Sequence, residues 1–154
     1  MTLHLERLLY VSRPTAAGAA HLAETMEEIL LASHRRNSMR RVTGFLWSDG
    51  ASFVQALEGP GPSVQAIYSR ILTDPRHRDI TCRLAERTPG RMFPSWSMCG
   101  ITLSDLDDAL VLAGDVPLDP YLSAPALLLA MLQRIATTYG ERLDLIHRRI
   151  AAAA

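Results

Sequence analysis

Tyr10, Asn37 and Gln55 are polar side chains set in stretches of sequence that are otherwise apolar. In the run Phe53-Val54-Gln55-Ala56-Leu57, strand alternation puts Phe53, Gln55 and Leu57 on one face. If Phe53 and Leu57 face a core, Gln55 is carried into it with them. The same alternation gives Leu8, Tyr10 and Ser12 a common face, so Tyr10 comes within reach of Gln55 wherever the two strands are neighbours. Asn37 stands at the end of the first long helical stretch, at the rim of that layer. A buried phenol or amide without a partner costs about 1–3 kcal/mol. Each of the three, taken singly, reads as a core group satisfied by its neighbours. Three that converge between two helices suggest a polar ligand held by amides. A flat ring with donors and acceptors along its edge suits them, because Asn and Gln each offer both.

Other chemistry has less behind it. His4, His21, His34, His77 and His147 are scattered, without the spacing of a metal site. Cys82 and Cys99 lie far apart and read as reduced thiols of a cytosolic protein rather than a disulfide. The glycines around Gly59 alternate with prolines, which lack the N–H groups of a phosphate cradle. No Ser, His and Asp combination has motif support, and neither a nicotinamide motif nor a second substrate pocket is visible, so an enzyme is disfavoured.

The elements that must position these residues can be read from periodicity. Residues 3–12 form a first strand, broken at Arg13-Pro14-Thr15. From Ala17 to Arg36, Leu22, Met26, Ile29, Leu30 and Ser33 recur at three- and four-residue steps, which makes an amphipathic helix with Thr15 as its cap. Val42–Ser48 and Ala51–Glu58 are strands joined by Asp49-Gly50, a pair suited to a tight hairpin. A second helix starts at Ser63, buries Val64, Ile67, Ile71 and Leu72, and ends at Asp74-Pro75. Ile80–Glu86 and Ser95–Leu103 supply two further strands, divided by Thr88-Pro89-Gly90.

The order β-α-β-β-α-β-β is that of an α/β (α+β) ferredoxin-like sandwich, with two helices on one sheet face and the third strand beside the first. The place of the fifth strand is open. Beyond it, Asp105–Leu112 suggests a short helix, Gly114–Pro120 a linker, and Ala124–Tyr139 and Glu141–Ile150 two helices. A sheet covered on one face leaves the other bare, and this tail is expected to cover it, to make a subunit contact, or both.

The chain has 154 residues, sixteen basic and sixteen acidic, and 48% hydrophobic residues. That suits one compact domain with a real core and argues against disorder. Zero formal net charge offers no phosphate-reading surface, so nucleic acid is an unexpected partner. No secretory leader is evident at Met1–Glu6, and the longest apolar run is shorter than the roughly 20 residues of a membrane span, so a soluble protein is expected.

Five segments, in order, resemble the BLUF family of blue-light sensors using flavin. They are Arg7-Leu8-Leu9-Tyr10-Val11-Ser12; Asn37 followed by Val42-Thr43-Gly44; Phe53 through Gly59; Asp74-Pro75-Arg76-His77; and Trp96-Ser97-Met98. The resemblance spans Leu3 to Leu103. It implies a receptor domain over 1–103 with a helical extension over 104–154, and a non-covalent flavin, FAD or FMN. Tyr10 would give an electron and proton to the excited flavin, Gln55 would switch its hydrogen bonds, and Asn37 would hold the ring edge. Trp96 or Met98 would respond to Gln55; alternation puts both on one face of the strand, unless a local bulge separates them. Ser12, Ile29, Ser33, Arg36, Phe53, Leu57, Asp74, Arg76 and His77 would line the pocket. A signal would leave through a homo-oligomer or a protein partner, in the cytoplasm. The rival expectation is a sandwich of this shape with no chromophore, acting as an interaction module.

Overall fold

A computed structural model describes residues 4–102 and 118–154. Its elements are β1 (Leu5–Pro14), α1 (Ala16–Ala20), α2 (Leu22–Met39), β2 (Thr43–Ser48), β3 (Phe53–Pro60), α3 (Gly61–Ile71), β4 (His77–Thr88), β5 (Cys99–Thr102), α4 (Pro125–Thr138) and α5 (Gly140–Ala153). The expected short helix at Asp105–Leu112, and the linker as far as residue 117, lie outside the described residues.

One five-stranded sheet runs β4-β1-β3-β2-β5. The first four strands pair antiparallel in the ferredoxin-like order, and β5 joins the edge parallel to β2. Alternation along β1 and β3 sorts the core into two layers. Leu8, Tyr10, Phe53 and Leu57 pack with Met26 and Leu30 of α2 and Val64, Ile67 and Ile71 of α3. Leu9, Val11, Val54 and Ala56 face the other way, onto Leu128, Leu132 and Ile135 of α4 and Leu143 of α5. Both faces of the sheet are therefore covered within the chain.

Several elements depart from the expected spans. The first helix is two helices, broken at His21 (φ −129°, ψ 55°), and it runs on to Met39. Thr15 caps it as expected, its hydroxyl accepting from Gly18 N at 3.3 Å. The hairpin loop spans 49–52 rather than two residues, because Asp49 Oδ1 accepts from the N–H groups of both Ala51 (2.8 Å) and Ser52 (2.6 Å). Gly50 still takes the positive φ the turn needs, +91°. Leu72 lies past the end of α3 and is 50% exposed, not part of its buried stripe. β5 begins only at Cys99, so residues 95–98 are not strand.

A buried charge cluster ties down the segment that leads to the site. Glu58 is fully buried and accepts from Arg7 Nε (2.9 Å), Met92 N (2.8 Å) and Phe93 N (2.7 Å). Arg7 also reaches Glu86 at 3.0 Å. Two backbone donors and one guanidinium satisfy the carboxylate, which is what makes such a burial tolerable. The Arg7 and Glu58 of the recognisable motifs thus anchor the β4–β5 connection.

Candidate functional site

The β1–β3 register sets Tyr10 directly opposite Gln55, and the β2–β3 register sets Leu46 opposite Gln55 on its other side. Between sheet and helices, the Tyr10 hydroxyl donates to Gln55 Oε1. Gln55 Nε2 in turn donates to Met98 Sδ at 3.1 Å. Phenol, amide and thioether form one buried chain, the two polar members 3% and 2% exposed. Gly44 lets this chain close up. A Cβ there would lie 2.1 Å from the Ala56 carbonyl and 3.1 Å from Met98 Cε, so only glycine fits.

A pocket beside the chain is lined by Tyr10, Ile29, Ser33, Arg36, Leu46, Phe53, Gln55, Ile71, Asp74 and His77. An adjoining cleft shares Arg36 and Asp74 and adds Arg70, Thr73 and Arg76. Two buried polar atoms of α2 have no hydrogen-bond partner, Arg36 Nε and Asn37 Oδ1; Arg36 lines both spaces, while Asn37 is among the lining residues of neither. Asn37 is fixed at its other end, Nδ2 donating to the Ser97 carbonyl at 2.9 Å. Buried donors and acceptors are normally satisfied. The free Arg36 donor, in a pocket with the apolar side chains of Ile29, Leu46, Phe53 and Ile71, and the free Asn37 acceptor one residue further along α2 fit a planar ring whose edge carries both N–H and C=O groups.

The ionisable groups respond to burial and to one another. Burial raises the Tyr10 phenol far above its ordinary value, with the Asp74 charge adding to the effect, so it stays neutral at any working pH. Burial also lowers Arg36, and Arg70 adds to that. For Asp74 burial pushes up, but hydrogen bonds from Arg76 outweigh it and hold the carboxyl below the usual carboxylate range. Their ion pair is 2.7 Å long. Burial lowers His77. Its Nε2 faces the Ile71 carbonyl at 3.1 Å and so carries the proton. Nδ1 therefore accepts from the Ser12 hydroxyl, 2.8 Å away.

Most of the residues expected at the site are brought together, and some are not. Tyr10, Ile29, Ser33, Arg36, Phe53, Gln55, Asp74 and His77 share the pocket. Ser12 reaches it through His77, and Arg76 lines the outer cleft. Leu57 sits deeper, in the core with Val64 and Ile67. The pairing of Trp96 with Met98 needs correction. Trp96 belongs to the opposite layer, packs at 5.9 Å on Phe45, and donates from Nε1 to Asp144 of α5 at 2.8 Å. The two residues precede β5, so strand alternation does not hold them on one face. Periodicity did not single out Leu46 or Ile71 for the pocket, nor Tyr68, whose ring lies 5.8 Å from that of Tyr10. Leu46 could have been found from its pairing with Gln55, and Ile71 and Tyr68 from the helical stripe of α3.

Fold and site together define an α/β sandwich with one pocket lined by the Tyr10 phenol and the Gln55 amide. The family model described as sensors of blue-light using FAD matches residues 5–99. The chain belongs to this BLUF family. It is 39% identical over 87 residues to the blue light- and temperature-regulated antirepressor BluF of Escherichia coli, a match covering 55% of this chain and 22% of that protein. It is 34% identical over 99 residues to the photoactivated adenylate cyclase subunit beta of Euglena gracilis, covering 64% and 11% respectively. The chain thus spans about a fifth or less of the length of these relatives. Among solved structures, the dark-state structure of the BLUF protein BlrB matches with TM-score 0.60 and 29% identity, over the whole of both chains. The ground state of BlsA matches with TM-score 0.71 over 84% of this chain and 87% of that one, at 23% identity, a likeness of fold.

Proposed function

We propose that this chain is a blue-light receptor that holds FAD between α2 and α3 and passes its state to another protein, without enzymatic activity of its own. The observation that carries the proposal is the buried chain Tyr10–Gln55–Met98 beside the unpaired Asn37 Oδ1 and Arg36 Nε. A flavin held here would supply light absorption and an electron-accepting excited state. The rest falls to the protein. The Tyr10 phenol, held neutral by burial, releases its proton only when an electron leaves it, so the two departures are coupled. Gln55 Oε1 is placed to receive that proton, and an amide can exchange its donor and acceptor ends without forming a covalent adduct. Met98 is then the residue that senses which end faces it, because its sulfur only accepts. Asn37 would hold the ring edge, and Arg36, Arg76 and Asp74 would meet the flavin side chain. Residues 1–103 serve as the receptor and 104–154 as the transmitting extension.

Similarity to an antirepressor and to a cyclase subunit supports output through protein contacts, here to a homo-oligomer or a separate cytoplasmic partner. Among the described residues no helix is long and apolar enough to cross a membrane. Heat release and chromatography of the cofactor test the reading. FAD is the expected product. FMN would correct the cofactor alone. A colourless protein that takes up no flavin would favour the chromophore-free interaction module, and steady NADH turnover would favour a redox enzyme.

A further inference from the structure

Three consecutive residues join the pocket to the tail. Met98 takes the hydrogen bond from Gln55, and Trp96 donates to Asp144 of α5. Ser97, between them, makes three contacts. Its carbonyl holds Asn37 Nδ2 at 2.9 Å, and its hydroxyl lies 2.7 Å from His34 Nδ1 of α2 and 3.3 Å from His147 Nε2 of α5. The two imidazoles meet edge to face, centroids 5.3 Å apart. We propose that Ser97 is a positioning residue, a clasp through which α5, by way of His147, sets the amide of Asn37 at the flavin edge. This rests on the flavin reading of the pocket.

Proton bookkeeping gives the clasp its direction. A serine hydroxyl has one hydrogen to donate, so it can satisfy a bare ring nitrogen on only one of the two histidines. The other must present its N–H to Ser97 Oγ. Neutral rings of complementary tautomer therefore fit, whereas two imidazolium rings, which the two lone pairs of the oxygen could accept, are opposed by their charges at a centroid separation of 5.3 Å. The titratable groups facing His147 are His34 from α2 and Asp144 from its own helix, and burial and His34 oppose its protonation while Asp144 favours it. Near the end of α5 the Arg149–Glu27 ion pair, 2.5 Å, again links that helix to α2, and it is exposed. Exposed pairs contribute little, so α5 is seated by the clasp, the Trp96–Asp144 hydrogen bond and the packing of Leu143 and Ile150. With Nδ2 tied to Ser97, the amide of Asn37 cannot turn over freely, and its bare Oδ1 keeps one direction.

The test is a double-mutant cycle of Ser97→Ala and His147→Phe in the full chain, with Ser97→Thr as the rescue that keeps the hydroxyl. FMN is the titrated probe, followed by flavin fluorescence and by the position of the dark absorption band. Amide hydrogen exchange of residues 140–153 is measured in the same proteins without flavin. Each single variant should weaken FMN binding about fivefold, the worth of roughly one neutral hydrogen bond. Each should also move the dark band and speed exchange of α5. The double variant should do no more than either single one, and Ser97→Thr should restore all three. Relative to the intrinsic amide exchange rate, protection of α5 in wild type should fall on acidification, and in His147→Phe it should fall less. Additive effects, or a His147→Phe protein with wild-type affinity and exchange, overturn the clasp. A wild type that takes up neither FAD nor FMN refutes the flavin reading instead. The clasp is then decided by exchange alone, where additive losses contradict it and non-additive losses support it.

Discussion

Along β3, Phe53, Gln55 and Leu57 face one way and Val54 and Ala56 the other, yet the two layers they enter are built from different materials. The layer beneath α4 and α5 holds aromatic and aliphatic side chains: Phe45 and Phe93 stack at 5.8 Å, and Leu128, Leu132 and Leu143 close over them. Its one buried polar atom without a partner, among the described residues, is Trp47 Nε1. The layer beneath α2 and α3 contains the phenol, the Gln55 amide, a histidine and the edge of an arginine cluster. A dry layer contributes stability by area and packing. The polar layer gives up some of that in return for groups that can rearrange. The apolar packing and the polar groups thus lie on opposite faces, and residues 96–98 reach both, Trp96 packing into one layer and Met98 into the other.

The strongest way to break this division is to remove the transferable proton. Tyr10→Phe should keep the fold and the flavin and lose the light-induced spectral change altogether. A variant that photocycles normally would mean that the polar layer holds the flavin without taking part in the switch. On the dry face, Leu132 is fully buried, and Leu132→Ala should cost about 2–5 kcal/mol in urea unfolding. Flavin content and light response should be retained at 20 °C. Loss of the flavin with little loss of stability would show that the faces are not separable.

A pH series sharpens the same contrast. His77 and His147 both have folded-state values below the ordinary 6.5 of imidazole, each lowered first by burial. Below about pH 6.5 the unfolded chain takes up protons that the folded one resists, so stability should fall with pH. The loss is complete once the pH is below the folded-state values. His77→Gln should reduce the slope between pH 5 and 7 in denaturation midpoints, and a slope unchanged by that substitution would contradict the buried, neutral assignment. The smallest effect concerns the thiols. Burial pushes Cys99 up to about 12, while Cys82 is exposed. At pH 8 a thiol reagent should label Cys82 alone in the folded protein and both residues after unfolding.

How far the sequence could be read follows the same division. Alternation in β1 and β3 was enough to place Tyr10 against Gln55, because a period of two leaves no freedom once the strands are neighbours. The stripe of α2 located Met26, Leu30 and Ser33 correctly. What failed was local. The loop at 49–52 is set by the Asp49 carboxylate rather than by strand pattern, and the break at His21 has no proline to announce it. Trp96 and Met98 part because the backbone before β5 is anchored elsewhere. Gly44 N donates to Trp96 O at 3.0 Å, and Ser97 O is taken by Asn37. The Ser97 contacts with His34 and His147 join residues 63 and 50 positions apart, and no single-segment pattern shows them.

The central claim is that Gln55, between Tyr10 and Met98, is the group that switches. Light-minus-dark absorption of the wild type and of Gln55→Leu, matched for flavin content, tests it most directly. The wild type should shift to the red under blue light and return in darkness, and Gln55→Leu should show no shift. A red shift in Gln55→Leu equal to that of the wild type would contradict the claim.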